Sequence, residues 1–229
     1  MTGPSGPATA VDRAPGSPPP EPVTTTVAMA SLGANRDQVV RLVEAGLLPE
    51  LGRRGRTRLL DPTALTELAA RPLLPDAGGD PAAPTYALVL HLGPRRPEPR
   101  PELYYRDVHG FHADGQTPDN AWTGWWNTGE QIAQECVAHT MPVLPAVSGV
   151  VVDVRLITGY TVHPLYPGLV RFAVTDPFRP AHAEFTNTRL RPAAGSPWQR
   201  LRRPARSELA AHDDPVGAPA RTAGTAGLR

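Results

Sequence analysis

Twenty-nine prolines and 21 glycines divide this 229-residue chain into short foldable segments. Proline fixes φ and removes a backbone donor, while glycine raises the entropy lost on ordering, so runs rich in both form neither long helices nor central strands. Such runs occupy residues 1–22, residues 72–84 (P-L-L-P-D-A-G-G-D-P-A-A-P) and the chain from 199 onward. Few large apolar side chains lie in them, too few to offset the cost of ordering. Residues 1–22 and 199–229 are therefore expected to be disordered, the second as a basic tail, with 73–84 a linker. Two modest cores are expected, in domains at 23–72 and 85–198, rather than one large one.

All 23 basic residues are arginine, so any phosphate contact must be made by a guanidinium fork. Net charge is +1, which gives no global attraction to a polyanion and requires a nucleic-acid site to be local. Residues 23–72 carry seven Arg against five acids, 85–192 nine against ten, and the tail from 193 six against three. Cys136 is the single cysteine, which rules out an internal disulfide and a secreted disulfide scaffold. Lacking an 18-residue apolar run or an apolar core in the first 22 residues, the chain is expected to have neither a membrane span nor an export signal. The expected location is the cytoplasm, at the nucleoid if DNA is the partner.

Local signals between Val23 and Pro72 are dense. A threonine cap starts a helix over Thr25–Leu32, and Gly33 stops it. Asn35 caps a second helix, Arg36–Ala45, closed by Gly46 in the left-handed region. On a wheel, Val39, Val40 and Val43 point one way with Leu42 at the flank, while Gln38, Arg41 and Ala45 point the other. The polar side offers an amide and a guanidinium, the groups suited to adenine and guanine edges, and Arg36 lies in the first turn. Residues 47–60 (L-L-P-E-L-G-R-R-G-R-T-R-L-L) read as a hairpin around Gly55, with Arg53, Arg54, Arg56 and Arg58 at its tip. Arg54, Arg56 and Arg58 are expected to alternate on one strand face and track a phosphate backbone. Asp61 and Pro62 start a third helix that buries Leu65, Leu68 and Ala69.

This stretch resembles the excisionase and MerR-type winged helix-turn-helix domains, on the residues L-G-A-N-R-D-Q-V-V-R-L-V-E-A-G-L-L-P, R-R-G-R-T-R and D-P-x-x-L. The resemblance implies double-stranded DNA as partner, with the second helix in the major groove and the wing on the backbone. Unlike MerR regulators proper, the chain has no long dimerisation helix after this stretch and no cysteine effector site. So small a module implies a homodimer or cooperative assembly on DNA.

From residue 85 the pattern changes to period two. Strands are expected at 86–93, 102–108, 147–160, 168–175 and 183–191, with one helix at Thr128–Ala138. The fold class expected is α+β: a small winged helix-turn-helix, then a mainly β domain forming a small barrel or a curved antiparallel sheet with one helix. The Pro-Arg run 94–101 is expected to be a solvated loop, a polyproline ligand being the alternative.

His109, His112, Asp114, Asp119, Trp122, Trp125 and Trp126 form the densest polar and aromatic cluster, a candidate pocket for a base or planar metabolite acting as small-molecule effector. The competing reading puts the tryptophans in the core of a barrel. His109, His112 and Asp114 lack a close further ligand, so no metal is expected. No catalytic residue or cofactor is assigned: Cys136 and His139 lack an activating context, Ser148-Gly149 is not a nucleophile elbow, and no glycine spacing cradles a phosphate. The run P-V-L-P-A-V-S-G-V-V-V-D-V faintly looks like the central strand of PUA- and ASCH-type barrels, which implies RNA or modified-base binding.

The leading expectation is a bacterial DNA-binding regulator or excisionase-like factor whose β domain senses a ligand or mediates assembly. Two alternatives stay open. One is an enzyme or nucleic-acid-binding domain around His109–Trp126 targeted by the helix-turn-helix, and the other a protein-docking module of a mobile element.

Overall fold

In the computed structural model, which describes residues 20–76, 84–118, 120–191 and 196–203, the local signals of residues 23–72 produce the elements expected of them. β1 (Val23–Thr24) leads into α1 (Thr25–Leu32), where the Thr24 hydroxyl accepts the Val27 N–H at 3.5 Å and Gly33, at φ +61°, ends the helix. α2 (Arg36–Glu44) opens on a capping box: Asn35 Oδ1 accepts the Gln38 N–H at 2.9 Å, and Gln38 Oε1 accepts the Asn35 N–H at 2.8 Å. β2 (Glu50–Arg54) and β3 (Thr57–Leu60) form the hairpin, and β1 pairs with β3 to make a three-stranded sheet. α3 (Pro62–Ala70) starts at the Asp61 carboxylate, which accepts the Thr63 N–H at 2.8 Å.

The second half runs β4 (Thr85–Leu92), β5 (Arg96–Pro97), α4 (Pro101–Tyr104), β6 (Val108–His109), α5 (Asn120–Thr123) and α6 (Glu130–Ala138). It continues through β7 (Pro142–Val147), β8 (Val150–Val151), β9 (Arg155–Val162), β10 (Val170–Thr175), α7 (Arg179–Phe185) and β11 (Trp198–Arg202). The architecture is mixed α and β, with several sheets. Its main sheet has the order β10-β9-β7-β4-β11 with β8 beside β7, and the central pair β4–β7 is parallel. The barrel expectation is therefore corrected: β10 and β11 end the order without pairing, so the sheet is open and mixed rather than closed or wholly antiparallel.

Other expectations in this half also give way. Residues 102–108 are not a strand. Pro101 opens the one-turn α4, and Tyr105 closes it at φ +51°. The expected strand 147–160 is broken, because Ser148 and Gly149, both at positive φ, turn the chain between β7 and β8. Along β7, β8 pairs at Ala146–Val147 and β9 at Pro142–Val143. The gap holds Pro145, which has no N–H to donate and whose carbonyl accepts from Val152 at 2.9 Å. Part of 183–191 is helical in α7, so the described residues of this half form four helices, not one. The Pro-Arg run is tied in by β5–β6 pairing and by the Arg95 N–H to Phe111 O bond at 2.8 Å. Residues 199–202, assigned to a disordered tail, instead form most of β11 against β4, because Leu201 is fully buried there. The remainder of that tail from 204, residues 1–19 and 77–83 lie outside the described residues.

The described residues form two buried clusters, but the boundary between them is the sheet, not the linker. One joins Ala28, Leu32, Val39, Leu42 and Leu65 of the first half to Leu88, Leu90, Val143, Ile157 and Phe172 of the second. The other lies on the opposite sheet face, with Ala87, Val89, Leu144, Phe185 and Leu201. Burying each leucine fully contributes about 1.5–3 kcal/mol. Polar ties reinforce the junction. Arg189 donates to Arg71 O at 3.1 Å and Leu32 O at 3.4 Å, carbonyls at the C-terminal ends of α3 and α1, where a cation is favoured. Among the described residues no helix is long and apolar enough to cross a membrane.

Candidate nucleic-acid interface

The hairpin turns through Gly55 and Arg56, with positive φ at Gly55 alone, +62°, as a two-residue turn opening on glycine requires. Its register sets Arg53 opposite Arg58, an arrangement of like charges that needs a counterion. Glu50 supplies it, accepting from Arg53 Nε at 2.6 Å and Arg58 Nη1 at 2.7 Å. The hydrogen bond from Arg53 leads, and with the two charges it holds the Glu50 carboxyl below its ordinary range despite some desolvation. Arg54, Arg56 and Arg58 thus do not form the expected row: Arg56 sits in the turn, and Arg58 is half-buried against Glu50.

Arg36, Arg41, Arg54 and Arg56 are exposed and make no ion pair among the described residues. Arg36, Arg56 and Arg58 line a cleft of about 220 Å³ with Thr25, Thr26 and Thr57. The threonines went unnoticed in sequence because α1, α2 and the hairpin meet there only in three dimensions. Hydroxyls in the first turn of α1 and between Arg56 and Arg58 were the available signal.

The outward face of α2 differs from expectation. Gln38 commits its amide oxygen to the capping box, and its backbone carbonyl accepts from Ser148 Oγ at 2.9 Å. Ala45 is fully buried, and its carbonyl accepts the Ala113 N–H at 2.8 Å. Glu44 pairs with Arg96 at 2.7 Å. Leu42, placed at the flank from sequence, belongs to the core. With the Gln38–Ala45 side covered by the second half, the exposed side runs through Arg36, Asp37 and Arg41, about a quarter-turn from the wheel expectation. Two guanidinium forks remain there, each able to meet a phosphate or the O6/N7 edge of guanine.

The expected aromatic pocket does not assemble. Trp122 is core, Trp126 Nε1 donates to Trp122 O at 2.9 Å, and Trp125 Nε1 donates to Tyr104 O at 3.1 Å. His109 Nδ1 lies 3.5 Å from the buried Glu98, which also binds Arg106 at 2.8 Å. His112 sits at the junction, its ring against Gly46. Asp114 is held in a fork by Arg95 at 2.9 and 2.6 Å, which keeps its carboxyl below the usual range. Asp119 lies outside the described residues. His109 is thus tied to Glu98 while His112 and Asp114 meet each other at 3.3 Å, and among the described residues no group of three or more side chains is placed to hold a metal.

Burial first, and the charge of Glu135 second, push the Cys136 thiol up to about 12, which removes thiolate nucleophilicity. No protein-family model, no curated protein and no solved structure matches the chain.

Proposed function

We propose that residues 23–72 act as a winged helix-turn-helix that binds double-stranded DNA, and that the chain is a bacterial regulator or excisionase-like factor working at the nucleoid. The observation that carries this reading is the set of four arginines, without an ion-pair partner among the described residues, on the exposed side of α2 and the hairpin tip. Arg54 and Arg56 suit phosphates, while Arg36 and Arg41 suit a groove approached by α2. Gln38 is left out of base reading, since its amide caps α2. A single small module then reads little sequence, so two or more copies act together on DNA.

Selection of bound duplexes from a random pool at near-physiological salt, with the full chain and its R36A/R41A/R54A/R56A variant, tests the reading. An enriched motif lost in the variant is the expected result. Equal retention by both proteins would sink it and favour the docking-module reading.

A further inference from the structure

We propose that the second half carries a separate binding site for a nucleoside phosphate, in the groove between α4 and the β9–β10 turn. The groove has a volume of about 580 Å³, lined by Arg100, Tyr104, Asn127, Tyr166 and Gly168 among others, within the range of small-molecule sites. It shares no lining residue with the arginine cleft of residues 25–58, so it stands whether or not the chain binds duplex DNA.

The walls are fixed before any ligand arrives. His163, only 1% exposed, lies between them. Its Nδ1 accepts the Leu165 N–H at 3.1 Å, and its Nε2 lies 3.1 Å from Leu103 O. Both neighbours are backbone groups with fixed roles, so the ring carries its proton on Nε2 and donates to Leu103. One imidazole thereby ties α4 to the β9–β10 turn. Its centroid is 6.3 Å from the Tyr104 ring and 5.1 Å from Tyr166, with Trp125 edge-on at 4.5 Å. The left-handed Tyr105 closes α4 beside it, a conformation that the surroundings must impose. Such pre-arranged walls reduce the ordering lost on binding.

What these walls present is uncovered. Tyr166 is 46% exposed and Leu165 67%, an apolar surface of the kind that marks a binding site when it lines a groove. Arg100 lies over the Tyr104 ring at 5.2 Å and donates to its hydroxyl at 3.0 Å, its guanidinium having no carboxylate partner among the described residues. Its other N–H donors are available to an anion. Asn127 contributes an amide carrying both donors and an acceptor. At Gly168 a Cβ would come within 3.1 Å of Asn127 Oδ1, so glycine leaves the amide room. A ligand that satisfies all three features has a flat ring for Tyr166, an anion for Arg100, and a ring edge with mixed polarity for Asn127. A nucleobase with its phosphate has them all, as a free nucleotide or as an unpaired residue of a strand.

Calorimetric titration of the full chain with the four nucleoside monophosphates, their neutral nucleosides, inorganic phosphate and a short single-stranded oligonucleotide tests this. Saturable binding of at least one monophosphate is expected, weaker for its nucleoside and for phosphate alone. R100Q and Y166A alter exposed side chains and should each weaken binding about tenfold, while R54A/R56A leaves it unchanged. An oligonucleotide that binds more tightly with the same two sensitivities identifies a strand as the source, and a weaker one identifies the free nucleotide. No saturable binding of any of these ligands at millimolar concentration would overturn the proposal, as would binding that folded R100Q and Y166A proteins retain in full.

Discussion

Replacing Glu50 with glutamine should make DNA binding more sensitive to salt, and the size of the change follows from the count of free arginines. In the folded chain Glu50 occupies both Arg53 and Arg58, leaving Arg36, Arg41, Arg54 and Arg56 to displace counterions. Each neutralised phosphate contributes about −0.9 to the slope of log K against log salt, so four predict about −3.6 and six, after release, about −5.4. Between about 50 and 200 mM salt, that is a loss of about 150-fold for the unaltered chain and about 2,000-fold for E50Q. Fluorescence anisotropy of a labelled duplex over this range measures both slopes, with circular dichroism to confirm that the hairpin survives. Equal slopes for the two proteins, or a slope near −5 before substitution, would refute the assignment of Arg53 and Arg58 to Glu50.

The junction predicts an asymmetry between two left-handed glycines. Gly33→Ala meets open space and should cost only the conformational strain, about 1–2 kcal/mol. Gly46→Ala places a Cβ 3.0 Å from His112 Cε1 and should cost about 1 kcal/mol more; equal losses in urea unfolding would show that the junction does not hold His112 there. Cys136 should stay unlabelled by a thiol reagent at about pH 8 until the chain unfolds, and rapid native labelling would contradict its burial. Burial, partly opposed by the hydrogen bond to Gln199, pushes the His91 pKa below the ordinary 6.5. The unfolded chain then takes up this proton first, so the stability involved is complete above about pH 6.5 and is lost as pH falls from there through the lower folded value. Urea midpoints should drop more between about pH 7.5 and 5.5 for the unaltered chain than for H91Q, and identical drops would remove His91 from the account.

Helix boundaries in the first half can be read from sequence because each depends on one adjacent group: Thr24, Gly33, Asn35 and Asp61 act within three residues of themselves. Pairing in the second half depends on partners far along the chain. The unbroken apolar run Ala87–Leu90, buried on both faces, does carry the mark of a parallel strand; β7 hides its own identity behind Pro142 and Pro145. The arginines of the candidate interface were legible as a set, but their division into free and paired was not. A register shift between Glu50 and Gly52 decides where that carboxylate falls, and spacing does not announce a bulge. Likewise a helical wheel separates polar from apolar positions on α2 without knowing that Ala113 and Ser148 arrive to cover one polar side. The groove at Tyr104 and Tyr166 escaped notice because its two walls lie about sixty residues apart in the chain and meet through His163.

The position of β4 between β7 and β11 has a consequence for how the chain is made. Leu88 pairs with Val143, and Ala87 with Leu201, so neither neighbour exists when the strand leaves the ribosome. At about 5–20 residues per second, its β11 edge waits about 5–20 s for a partner. Through that interval a strand with the apolar centre Ala87–Leu90 offers unpaired backbone to any other nascent chain, while the locally wired helices of the first half are able to form at once. Aggregation during synthesis, rather than instability afterwards, is the hazard that this topology builds in.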